Sequence, residues 1–136
     1  MGETLLDAYR TTRYLVCVDG VDWADLRIGR GLPDSLQAAV GDGYWAFITA
    51  WNPLSLARED ALNRIAQRAL CAALNALPDT RLRPAIGIGA DGWSEPSFFV
   101  TGPSPAELDA LANEHQQIAY VLGHGASPAQ LRWLRR

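Results

Sequence analysis

The chain has 136 residues, 49% hydrophobic and 20% charged with five Trp, and fits one α+β domain (1–136) of radius of gyration about 14 Å. A formal net charge of -3 and a pI near 5.2 leave no overall field to draw in a polyanion, so nucleic acid is not an expected partner. No apolar run approaches the roughly 18 residues of a membrane span, and Met1-Gly2-Glu3-Thr4 lacks the positive start of a signal peptide.

Together with the heavy use of Ala, Arg and Leu, this makes the cytoplasm of a bacterium the expected setting, with no membrane partner. Cys17 and Cys71 lie 54 positions apart among apolar neighbours, without Cys-x-x-Cys spacing, and read as reduced core residues. The arginines near the ends, Arg10 and Arg13 and then Arg132, Arg135 and Arg136, read as solvated helix ends rather than phosphate contacts.

In chain order, Leu5, Leu6 and Tyr9 predict a first helix over 3–11, and Arg13 to Asp19 reads as a strand. Asp19-Gly20 signals a turn, and Trp23 to Ile28 alternates Trp23, Asp25 and Arg27 against Ala24, Leu26 and Ile28, as a strand with one wet face does. After the breaker at 29–34, Leu36, Ala39 and Val40 give a short helix stopping at Gly41. The unbroken apolar run Tyr44 to Ile48 predicts a strand buried on both faces, inside the sheet.

A long helix follows, with Leu62, Ile65, Ala66, Ala69, Leu70, Ala73, Leu74 and Leu77 on one stripe and Arg58, Arg64, Gln67, Arg68 and Asn75 away from it. Strands are expected at 84–89, with Pro84 at its first position or an unpaired edge, and at 97–101. Ser104-Pro105-Ala106-Glu107 is a capping box opening a helix, 117–122 is a strand, and Ser127-Pro128-Ala129-Gln130 repeats the capping logic for a short C-terminal helix. This predicts helices on a mixed β-sheet of about six strands. The connections from 44–51 to 84–89 and from 97–101 to 117–122 are long enough to join parallel strands.

The halves 13–52 and 84–124 share an element order. Trp23 falls 70 residues before Trp93, and Gly29 and Ala46 fall 73 before Gly102 and Ala119. A duplicated ββαβ unit joined by a long central helix and a chance match of common units both fit.

Several motif classes are excluded. Gly87-Ile88-Gly89-Ala90-Asp91-Gly92 matches G-x-G-x-x-G, but the β-rich Phe98-Phe99-Val100 follows where a dinucleotide site needs a helix N-terminus. His115 and His124 have no ligand spacing with each other or with a cysteine, so neither a metal nor any other cofactor is expected. No P-loop and no G-x-S-x-G elbow occurs.

What remains is the polar corner ending the central strand. It delivers Thr49, Trp51 and Asn52, and Pro53 forces Asn52 out of the helical region. Asn52 reads equally as an Asx turn or as a ligand contact, and Asn63 as an amide aimed at the corner or a solvated helix residue. The segment carrying Asp91, Trp93, Glu95 and Ser97 reaches the corner if strand 84–89 pairs beside strand 44–51. Glu95 is then either a desolvated proton-transfer group or a structural partner of Arg10 or Arg64, the second reading being the stronger.

The chain resembles the bacterial domain-of-unknown-function 3293 family. The matching pieces are Tyr9-Arg10 with Thr12 and Tyr14, then Ala46 to Pro53 with Ser55 and Asn63, then Asp91, Trp93, Glu95-Pro96-Ser97, and Gln117 with Ala119. Glu59, where Ser or Thr would cap the long helix, and His115-Gln116, in place of an aromatic-glycine pair, depart from the pattern. The resemblance implies a shared set of polar residues and no particular activity.

Two functional expectations follow. One is a pocket for a small polar molecule built from Thr49, Trp51, Asn52, Asn63, Asp91, Trp93, Glu95, Ser97 and Gln117, with catalysis left open. The other is a protein-interaction module using exposed Trp residues and the C-terminal helix with Trp133. Self-association is undecided by the sequence.

Overall fold

The computed structural model describes residues 4–135; the readings placed on Met1, Gly2, Glu3 and Arg136 lie outside that range. In order come α1 (Leu5–Thr11), β1 (Arg13–Cys17), β2 (Trp23–Leu26), α2 (Asp34–Val40), β3 (Tyr44–Ile48), a 3-10 turn (Pro53–Ser55), α3 (Asp60–Asn75), β4 (Arg81–Ile88), β5 (Ser94–Thr101), α4 (Pro105–Glu114), β6 (Ala119–His124) and β7 (Gln130–Trp133). No helix among the described residues is long and apolar enough to cross a membrane.

The α+β class stands, with seven strands in one sheet ordered β2-β1-β4-β5-β3-β6-β7. Each neighbouring pair is antiparallel, and a parallel bridge between Ile28 and Ala129 joins the two ends of the order, so the sheet curls into a half-barrel. Both helical crossovers join strands of like direction, but with one strand inserted: β5 lies between β3 and β4, and β3 between β5 and β6. The hairpin β4–β5 uses one edge of β5 and leaves the other for β3.

The C-terminal helix is not formed. Gln130-Leu131-Arg132-Trp133 pairs with β6 as β7, and its exposure alternates with the strand period of two that the capping-box reading overlooked. β4 begins at Arg81, three residues before Pro84. The ladder to β1 stops at Ala85, so the missing N–H of Pro84 falls beyond it.

β3 organises the packing because its alternate side chains serve opposite faces. Trp45 and Phe47 join Tyr14, Val16, Leu26, Leu36, Phe99 and Val121 in the core inside the curl. Ala46 and Ile48 join Leu70 and Leu74 of α3 and Leu108 and Ala112 of α4 in a second core outside it. Trp45 is fully buried, donates Nε1–H to the Gly125 carbonyl at 3.2 Å, and fills the space a side chain at Gly123 would need.

The apolar stripe of α3 is rotated from the predicted one. Leu62 and Ile65 are exposed, and the inward face is Asn63, Gln67, Leu70 and Leu74, spaced 4, 3 and 4 residues apart. Its first two turns therefore bury amides where the sequence pattern predicts hydrocarbon. Those amides hold the end of β3.

Candidate functional site

Beyond Ile48 the chain leaves the sheet, and its backbone needs new partners. Gln67 Oε1 accepts the Ala50 N–H at 2.9 Å. Thr49 Oγ1 donates to the Pro96 carbonyl of β5 at 2.7 Å and accepts the Trp51 N–H at 3.1 Å. Asn63, fully buried, accepts the Asn52 N–H at 2.9 Å and donates Nδ2–H to Asn52 Oδ1 at 2.8 Å, a two-way amide clamp. Arg58 Nε donates to the same Asn63 Oδ1 at 2.7 Å.

The clamp holds Asn52 at φ 46, and Leu54 and Ser55 follow at φ 56 and 59, the left-handed region that costs non-glycine residues about 1 kcal/mol or more each. The result is a tight reversal, pinned where the Leu54 N–H reaches the Gln116 carbonyl at 2.8 Å and Gln117 Nε2 reaches the Trp51 carbonyl at 3.2 Å. Ser55 is thereby placed at the cavity. Its hydroxyl lies near the Tyr9 phenol of α1 and acts to lower that phenol's pKa against the larger effect of burial.

Between this reversal, α1 and the inner face of the sheet lies a cavity of about 330 Å³. Tyr14 of β1, Gly87 of β4, Glu95 and Ser97 of β5, and Phe47 of β3 form its floor. Seven of the nine expected residues line it: Thr49, Asn52, Asp91, Trp93, Glu95, Ser97 and Gln117. Trp51 and Asn63 do not. Trp51 contributes backbone groups, and Asn63 is the buried brace behind Asn52.

The convergence arises by a different route from the expected one. Glu95 and Ser97 belong to β5 itself, which pairs directly with β3, and strand β4 lies one position farther out. Asp91 and Trp93 occupy the β4–β5 turn, where Asp91 Oδ1 accepts the Trp93 N–H at 3.0 Å, so both sit exposed at the rim.

Glu95 is the unusual group. Its carboxylate has no hydrogen bond and no ion pair among the described residues, so the pairing with Arg10 or Arg64 is not formed. Burial pushes its pKa up to about 8, because the charged form is deprived of water with nothing to replace it. Tyr9 and Tyr14 are raised above the ordinary phenol value, burial first, with Glu95 adding to both.

Sequence reasoning left Tyr9, Thr12, Tyr14 and Ser55 out of the candidate set although they line the same cavity. Their signal was the family resemblance, in which all four stood. The lining contains no Lys, Arg, His or Cys, so a nucleophile paired with an imidazole and a cation-assisted phosphate site are both unsupported.

The fold and cavity define an α+β protein with a ligand-sized recess in a curled antiparallel sheet. Residues 48–120 match the model of a family described as "Protein of unknown function (DUF3293)", and the chain belongs to that family. The match runs from the last residue of β3 into β6, and so contains Asn52, Asn63, Glu95 and Gln117. No curated protein and no solved structure matches the chain.

Proposed function

We propose that this protein binds a small polar molecule in the cavity at the end of β3, with Glu95 as the group that exchanges a proton with it. One observation carries the reading: a half-buried carboxyl group with no protein partner inside a recess of about 330 Å³. Such a group costs stability, and a ligand that satisfies it accounts for its presence. The setting we infer is the bacterial cytoplasm, consistent with Cys17 and Cys71 being free thiols.

The interaction-module reading has less behind it, since its C-terminal helix is a strand and Trp133 packs edge-on against Tyr9 with ring centroids 5.7 Å apart. The test is a thermal-shift screen of a metabolite panel on the native chain, Asn52→Ala and Glu95→Gln. At least one metabolite raises the native Tm and loses that effect in folded variants. A panel that shifts native and variant proteins alike, or shifts none, defeats the proposal.

A further inference from the structure

The polar atoms around the cavity are unevenly divided between donors and acceptors. Four lining residues commit their hydroxyl protons to backbone carbonyls: Thr12 to Ala8 at 2.7 Å, Tyr14 to Tyr9 at 2.8 Å, Thr49 to Pro96 at 2.7 Å and Ser97 to Glu95 at 3.1 Å. What each still offers a ligand is a lone pair. Gln117 Nε2 is engaged by the Trp51 and His115 carbonyls, and the lining supplies no cationic donor. Two carboxyl groups complete the lining, Glu95 inside, which becomes a pure acceptor once it gives up its proton, and Asp91 at the rim.

Aromatic rings enclose the same space. Tyr9, Tyr14, Phe47 and Trp93 all line it, and Tyr14 and Phe47 meet edge to face with centroids 5.0 Å apart. Ring faces carry the negative part of the aromatic quadrupole and attract cations. The donors left at the wall, such as Asn52 Nδ2 and Trp93 Nε1, are neutral, so an entering anion would meet lone pairs, carboxyl groups and aromatic rings with no cation to offset them.

We propose that the cavity takes a protonated amine or guanidinium carried by a small organic molecule, with Glu95 as its counter-ion and the aromatic rings as its walls. This rests on the small-molecule reading above and narrows it to one charge class. A volume of about 330 Å³ lies at the small end of ligand pockets and suits a small organic molecule.

Pairing requires Glu95 to give up its proton, so binding releases a proton and tightens as pH rises from 6 to 8.5. The other titratable groups lining the cavity are Tyr9 of α1, Tyr14 of β1, Asp91 of the β4–β5 turn and Tyr120 of β6. The three phenols are raised by burial and do not ionise in that range.

The experiment is a titration of the full chain, followed by calorimetry and by backbone amide resonances, with benzylammonium and agmatine as cations, benzyl alcohol as the uncharged isostere and benzoate as the anion. At pH 8 at least one cation binds about tenfold or more tighter than benzyl alcohol, shifts amides around Tyr9, Glu95 and Trp93, and releases about half a proton, since Glu95 is about half ionised there beforehand. In Glu95→Gln the preference falls to about twofold. Should benzyl alcohol or benzoate bind as well as either cation, the charge assignment is overturned and the pocket reading survives. Should none of the four perturb the cavity at millimolar concentration, both fall. The comparison of isosteres uses the native chain and holds even if the variant fails to fold.

Discussion

Glu95→Gln offers a direct measure of the partnerless carboxylate, because glutamine keeps the shape and removes the titration. With the folded pKa at about 8 and the ordinary value at 4.5, the folded chain holds this proton more tightly than the unfolded chain does. Glu95 therefore supports folding fully below about pH 4.5, and that support is lost as pH rises to about 8. The gap between the two values, at about 1.4 kcal/mol per pH unit, sets a ceiling of about 5 kcal/mol. Water entering the open cavity screens the charge and leaves about half of that, about 2–3 kcal/mol. Urea unfolding of the native and Gln chains at pH 5, 6, 7, 8 and 9 isolates the effect, since every other titrating group cancels in the difference. The variant gains about 2–3 kcal/mol on the native chain between pH 5 and pH 9. A difference constant to within about 0.5 kcal/mol over that range would refute the argument that burial without a partner sets this group's behaviour.

Two substitutions test the support of the site. Asn63→Ala removes two neutral hydrogen bonds and one from Arg58, at about 1 kcal/mol each with Arg58 partly exposed; unfolding free energy drops by about 3 kcal/mol, and a loss under about 1 kcal/mol in urea unfolding means the clamp does not hold β3. Gly123→Ala places a methyl group on the Trp45 indole; it costs about 2–3 kcal/mol and changes near-ultraviolet circular dichroism, and a variant as stable as the native chain with an unaltered spectrum would show that the indole is not confined there.

Much of the architecture follows from local pattern. The unbroken run Tyr44 to Ile48 marked a strand buried on both faces, and the capping box at Ser104 marks the start of α4, where both of its reciprocal hydrogen bonds are formed. Pattern misleads where a polar side chain serves a distant backbone. Gln67 and Asn63 look like surface residues of an amphipathic helix, yet they are buried because the strand end 17 and 11 residues earlier needs their amides. Likewise Tyr9 and Tyr14 read as ordinary apolar positions of a helix and a strand. The pairing of β1 with β4, and of β4 with β5, carries them to Glu95, and no local period encodes that long-range neighbour. Ser127-Pro128 misled in the opposite direction, since a strong capping signal outweighed a four-residue alternation too short to be persuasive.

Helix α1 contributes Leu5, Ala8, Tyr9 and Thr11 to the cavity wall, yet none of its residues is buried. The two cores that hold the chain together contain no residue of it, and its tie to them is the hydrogen bond from Tyr14 to the Tyr9 carbonyl. Robustness and selectivity are thus housed in different parts of the molecule. Side chains on α1 can be exchanged to reshape the recess while the scaffold keeps its folding energy, which makes this seven-residue segment the natural place to retune what the protein recognises.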